Sequence, residues 1–232
     1  MSEVAARVEQ VRERVAQAAE RAGRDPAEVT IVAVTKGHPD SRVEELVAAG
    51  IDQIGENRVQ EALAKKPEVQ RPATWRLVGP LQRNKVRRAL ELFDWLDAID
   101  RWEVAEAVSR RAVAAQRVVP VLVEVNVGGE AQKHGFAPER VPEFFARLDQ
   151  LPGLRVEGLM TVAPLAHDPE EVRPVFRRLR ELRDALQDRF SLELPWLSMG
   201  MSNDFEVAVE EGATMIRLGT VLVGPRPAAP GR

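Results

Sequence analysis

The chain has 232 residues, 44% hydrophobic and 30% charged, with a net charge of −3 and an isoelectric point near 5.8. An α/β barrel of roughly 250 residues is the natural single-domain fit, and the charge gives no general pull towards nucleic acid or an anionic membrane. Cysteine is absent, which excludes disulfides and thiolate chemistry, and the three histidines, His38, His134 and His167, lack ligand spacing, so no metal site is expected.

The first segment reads as a helix over residues 3–22. Val4, Val8, Val11 and Val15 recur at spacings of four, three and four, and Gly23 is the stop. The start has no apolar centre of the kind a signal peptide needs, and no apolar run reaches membrane-spanning length, so a cytoplasmic protein is expected. Short apolar runs then alternate with amphipathic ones. The runs predict strands over 30–36, 53–57, 74–81, 95–99, 119–126, 156–162, 196–199 and 215–219. Helical patterns fill 40–49, 57–65, 82–92, 102–115, 138–150, 169–188 and 203–211. In the longest, Val172, Val175, Phe176, Leu179, Leu182 and Leu186 share one face. This alternation predicts a parallel sheet with helices outside it. About eight such strands predict closure into a (β/α)8 TIM barrel, with an open doubly wound sheet as the alternative. One domain over 1–224 is expected, followed by a frayed tail over 225–232.

In such a barrel the carboxyl ends of the strands share one rim, and chemistry collects there. Lys36 ends the first run, followed by Gly37. A lysine drawn partly out of water holds its proton less tightly, and the free amine attacks an aldehyde. A solvated lysine opening a loop fits the same position. Gly200-Met201-Ser202-Asn203-Asp204 joins a strand to a helical stretch, where unpaired N–H groups suit an anion and Ser202 adds a hydroxyl. Capping of that helix by Ser202 or Asn203 accounts for the same residues. Gly219-Thr220 ends the last strand, and phosphate binding by the loops after the last two strands is a recurrent barrel arrangement. Arg217 interrupts an apolar run on the same strand face as Gly219, so it is either ion-paired inside the barrel or aimed at a ligand.

The segments Ala33-Val34-Thr35-Lys36, Gly55-Glu56-Asn57, Gly79-Pro80-Leu81-Gln82-Arg83-Asn84-Lys85, Gly158-Leu159-Met160-Thr161, Met199-Gly200-Met201-Ser202-Asn203-Asp204 and Arg217-Leu218-Gly219-Thr220 occur in this order. Together they resemble the pyridoxal phosphate homeostasis protein family, also called the proline synthetase co-transcribed family, along nearly the whole chain. The resemblance implies a barrel similar to the N-terminal barrel of alanine racemase, holding pyridoxal 5′-phosphate covalently without an established catalytic activity. It implies that Lys36 forms the internal aldimine, that Ser202, Gly219 and Thr220 hold the phosphate, and that Arg217 faces the pyridine nitrogen. Asn57 would lie near the ring, with Met201 and Met160 lining the pocket. Two departures bear on the pocket edge: Arg76 stands where relatives often have histidine, and Arg58 where an aromatic residue is frequent.

Binding rather than turnover is expected. Arginine opposite the pyridine nitrogen does not supply a proton, which leaves the ring a weaker electron sink. Alanine racemases share that arginine but use a tyrosine as second base, and related decarboxylases use a cysteine; the chain contains neither residue. Both enzyme types also carry a β-rich second domain, and nothing here is long enough to supply it, so an open mouth and a monomer are expected. The expected function is pyridoxal phosphate homeostasis, the cofactor being carried as a lysine aldimine and passed to apo-enzymes. The alternatives are a small pyridoxal phosphate-dependent amino acid racemase and a module that binds a phosphorylated metabolite non-covalently. Lys85, in the basic run 83–88, and Lys133 are candidates for a second amine that receives the aldehyde; a solvated helix face also accounts for the basic run.

Overall fold

The computed structural model describes residues 2–130 and 134–225. Lys133 and residues 226–232 of the expected tail lie outside the described residues. Strands β1 (Thr30–Val34), β2 (Gln53–Glu56), β3 (Thr74–Leu77), β4 (Trp95–Ile99), β5 (Val119–Glu124), β6 (Leu154–Met160), β7 (Trp196–Ser198) and β8 (Met215–Leu218) form a closed barrel in chain order. Every neighbouring pair is parallel, and pairing of β1 with β8 excludes the open sheet.

Helix α1 (Glu3–Arg21) precedes the barrel, and one helix follows each strand: α2 (Asp40–Ala48), α3 (Val59–Lys65), α4 (Val86–Leu92), α5 (Trp102–Ala114), α6 (Val141–Phe145), α7 (Arg173–Phe190), α8 (Phe205–Glu210) and α9 (Thr220–Val223). The four valines of the α1 stripe are all buried, with Ala18 and Ala19, against α2, α8 and α9. Ser2 caps that helix, its hydroxyl accepting from the Ala5 N–H at 3.1 Å. On α7 the predicted face is buried through Phe176, Leu179 and Leu186. Among the described residues no helix is long and apolar enough to cross a membrane.

Several predicted strands run past their true ends. β1 stops at Val34 because the Thr35 carbonyl turns to accept the His38 N–H at 3.0 Å. β3 stops at Leu77, just before Gly79-Pro80, where proline offers no donor to a ladder. The helix predicted over 138–150 survives only as α6, with a 3-10 turn on either side. The last helix, α9, was not foreseen.

Parallel register decides which residues face inward, because partners at one level share a face. Val32 pairs with Gln53 and Arg217, Arg76 with Trp95, Leu122 with Gly158, Glu124 with Met160, and Met160 with Ser198. All of these side chains therefore belong to the barrel interior. Trp95 and Trp196 meet edge to face with centroids 6.1 Å apart, and the Arg76 guanidinium lies 4.1 Å above Trp95. Arg76 is buried and donates twice to Asp97, at 2.7 and 3.1 Å. It is not a pocket-edge residue, as expected from its sequence position, but half of an ion pair inside the barrel.

Candidate functional site

Alternation carries the inner face of each strand on to the rim. Val34 leads to Lys36 after β1, Gly55 to Asn57 after β2, and Arg217 to Gly219 after β8. Since β1 lies between β2 and β8, Lys36 is flanked by Asn57 on one side and Gly219 on the other. Lys36 and Asn57 are both half-buried.

The turn that carries Lys36 is gripped from behind by α3. The Thr35 carbonyl accepts from Lys65 Nζ at 2.8 Å, and the Gly37 N–H donates to Glu61 Oε2 at 3.2 Å. Lys65 also pairs with Glu56, whose Oε1 accepts from the Thr35 hydroxyl at 2.6 Å. Burial pushes the Glu56 carboxyl above its ordinary range, against the pull of its hydrogen bonds from Lys65 and Thr35. This cluster escaped the sequence reading, although a charged residue in the apolar β2 run was a usable signal.

At β7 the chain turns through Gly200, with φ +95°, where a Cβ would sit 2.6 Å from that of Ala208. Only glycine fits this turn. Neither Ser202 nor Asn203 caps α8. Asp204 takes the turn instead, its Oδ1 accepting from the Met201 N–H at 2.6 Å. Consequently the Ser202 hydroxyl and the N–H groups of Ser202 and Asn203 make no hydrogen bond to another described residue. Ser202 and Met201 are half-buried. At Gly219 an added Cβ would meet nothing nearer than the Val34 carbonyl oxygen, at 3.4 Å. The glycine therefore keeps open, at the end of β8, a space that a side chain would fill. Thr220 opens α9 and is exposed; its carbonyl accepts from Arg7 at 3.3 Å.

Arg217 is buried. Its Nη1 donates to Ser198 Oγ at 2.6 Å and its Nη2 to the Thr161 carbonyl at 2.7 Å. Burial lowers its pKa, while the charges of Asp97, Glu124 and Asp204 raise it. Ser198, not singled out from sequence, is thus what aims this guanidinium. Met160, the last residue of β6 and level with Ser198, is buried in a cluster with Val32, Ala98, Leu122 and Met215.

Beside Asn57 the mouth widens into a cavity of about 830 Å³, lined by Arg58, Lys85, Arg101 and His134 among others. Lys85, a candidate second amine, shares this space; the other candidate, Lys133, is outside the described residues. Arg58 is exposed at the entrance. Behind the lining, Asp100 and Glu124 are buried at the ends of β4 and β5, each with one oxygen that lacks a partner. Burial pushes Glu124 upward, Asp100 adds to this, and Arg217 and His134 oppose it.

The rim thus assembles a half-buried amine, unpaired N–H donors, a free hydroxyl, an open glycine and a fixed guanidinium. That set suits an aldehyde with an anionic tail.

Residues 7–227 match the family model of the alanine racemase N-terminal domain. A pyridoxal phosphate homeostasis protein of Aquifex aeolicus is 44% identical over 221 residues, covering 95% of this chain and 97% of its own. One of Pseudomonas aeruginosa is 43% identical over 227 residues, covering 97% of each chain. Among solved structures, PipY of Synechococcus elongatus with PLP bound is similar with a TM-score of 0.84 at 37% identity, covering 96% of this chain and 100% of that one.

Proposed function

The chain belongs to the alanine racemase N-terminal domain family and, within it, to the pyridoxal phosphate homeostasis proteins, and from that membership we propose that it holds pyridoxal 5′-phosphate on Lys36. The observation that carries the assignment is the barrel register, which sets Lys36 between Asn57 and Gly219 on one rim. The PLP bound to PipY, at 37% identity, supports it.

Bound pyridoxal phosphate supplies an aldehyde that bonds amines reversibly. Lys36 offers the amine, and the grip of Lys65 and Glu61 on its turn limits how far it wanders. Ser202, Gly219 and Thr220 hold the phosphate, chiefly through backbone N–H groups and the Ser202 hydroxyl. Arg217 presents a charge that stays protonated to the pyridine nitrogen, and Asn57 and Met201 flank the ring. An arginine in that place donates hydrogen bonds but gives up no proton. With no tyrosine in the chain to act as an opposing base, the site favours carriage over turnover. The protein works as a cytoplasmic monomer that keeps free aldehyde low and hands it to apo-enzymes.

The test is the visible absorbance of the loaded protein, then borohydride reduction and peptide mapping. The adduct is expected on Lys36 and lost in Lys36→Ala. An adduct confined to another lysine, or tight cofactor with no reducible bond, would overturn the assignment. Proton exchange at the α-carbon of amino acids in heavy water, in catalytic excess, would make the protein a racemase instead.

A further inference from the structure

The residues on either side of Lys36 are both tied to α3. Residues 35–38 form a β-turn: the His38 N–H donates to the Thr35 carbonyl at 3.0 Å, and Gly37 sits third in the turn with φ +74°. Behind the turn lies a cavity of about 290 Å³, lined by Gly37, His38, Glu61, Ala64 and Lys65 among others. Packing therefore does not fix the turn on that side, and hydrogen bonds do. Lys65 Nζ donates to the Thr35 carbonyl at 2.8 Å, to the Thr35 hydroxyl oxygen at 3.3 Å and to Glu56 Oε1. An ammonium has three N–H donors, and these acceptors use them all, so buried Lys65 offers no lone pair to compete with Lys36 for an aldehyde. Glu61, one helical turn earlier on the same face of α3, accepts from the Gly37 N–H at 3.2 Å.

A buried ion pair is weak evidence of stability, since apolar side chains of similar volume often serve as well. This one also leaves Glu56 Oε2 buried without a hydrogen bond among the described residues. What it does supply is directed bonds at the peptide before Lys36. From this geometry we infer that Lys65, neutralised by Glu56, and Glu61 are positioning residues for covalent capture on Lys36 and have no part in holding the anionic tail. The inference rests on the reading that Lys36 carries the aldehyde. In that capture the neutral Lys36 nitrogen bonds the aldehyde carbon, and the aldehyde oxygen leaves as water with the two amine hydrogens. No oxidant, reductant or further reactant is needed. The step depends on where the nitrogen sits, and a misplacement of about 1 Å can cost about a hundredfold. The phosphate cradle belongs to the ends of β7 and β8, across β1 from β2 and α3, so capture and anion binding are separable by substitution.

The first test uses cofactor-free protein and amide hydrogen exchange. Lys65→Met combined with Glu56→Gln leaves no buried charge. It is expected to speed exchange at Gly37 and His38 at least about tenfold while the barrel strands keep their protection. Unchanged exchange at both amides overturns the inference. The second compares pyridoxal 5′-phosphate with pyridoxine 5′-phosphate, the alcohol with the same anionic tail and no aldehyde. The double variant is expected to bind the alcohol within about twofold of the parent and to form the borohydride-fixed Lys36 adduct at least about tenfold more slowly. Equal adduct rates, or equal losses for both compounds, would overturn the inference. Glu61→Ala leaves the buried pair in place and serves where the double variant does not fold. It should speed exchange at Gly37 and slow adduct formation without weakening the alcohol, and a variant matching the parent in both respects overturns the inference. A parent that forms no adduct on Lys36 would instead overturn the assignment of the cofactor site, a failure that the cofactor-free exchange data do not share.

Discussion

Glu124 shows at the scale of one residue what the barrel interior costs. It points inward beside Met160, and one of its oxygens is buried without a partner. Burial and the neighbouring Asp100 raise its pKa in the fold. A carboxyl whose folded pKa is raised adds stability below its unfolded pKa, and that contribution is lost as pH rises through the folded value. Glu124→Gln cannot ionise and so escapes the loss. Urea midpoints should therefore shift in favour of the variant as pH rises from about 4.5 and level off once the parent group has ionised. A difference that is flat across that range would mean the carboxyl is solvated after all. The site itself was half legible. Lys36, Ser202, Arg217 and Gly219 stood out because strand-end lysines, turn glycines and a charge in an apolar run each have a local signature. Asp97 and Glu124 carry the same signature as Arg217 and were overlooked, while Glu56 was read only as part of the motif Gly55-Glu56-Asn57. The ion-pair contact between His134 and Asp100, at 3.1 Å, has no local signal, since it depends on a loop folding back across a strand end.

Among the elements, the tightest constraint falls on β6. Its register with β5 slips between Val121 and Leu122, and Gly158 then faces Trp196 of β7. A Cβ at Gly158 would lie 1.9 Å from the Trp196 carbonyl oxygen, a rigid ladder atom. Gly158→Ala is expected to cost about 4 kcal/mol, at the upper end for single substitutions, read from denaturant unfolding; a loss of a few tenths would show that β7 yields freely. The joint between β2 and α3 offers a complementary test. Lys65 and Glu56 have side chains 8% and 0% exposed, so Lys65→Met strands a buried carboxylate and should cost about 3–5 kcal/mol. Glu56→Gln combined with Lys65→Met should recover most of that, because no charge is left to solvate. If the double variant is as unstable as the single, the pair acts through shape and not charge. These joints explain where the reading of the fold fell short. Hydrophobic period located all eight strands and the helix after each of the first seven, because one buried face per element is a one-dimensional signal. It overshot β1 and β3 and joined the pieces around α6, because turn hydrogen bonds and proline decide those ends and apolarity does not.

At the scale of the whole molecule, closure brings the first and last parts of the chain together, and ion pairs fasten the seam. Helix α8 is held from one side by α1, through Arg14 to Glu206 at 2.9 Å and Arg21 to Glu210 at 2.7 Å. From the other side α7 reaches Glu211, which accepts from Arg173 at 3.2 Å and Arg177 at 2.9 Å. Exposed pairs contribute little, but the Glu211 side chain is only 6% exposed. Burial alone would raise its pKa, and the hydrogen bonds from Arg177 and Arg173 outweigh that and lower it. The sign is thus opposite to that of Glu124. A depressed carboxyl adds stability above its unfolded pKa, and this is lost as pH falls through the folded value. Glu211→Gln should destabilise the protein by about 3 kcal/mol at neutral pH, and the gap from the parent should close as acid protonates the parent group. Guanidinium unfolding at stepped pH measures it. A deficit unchanged in acid would show that Glu211 fills space at the seam without using its charge.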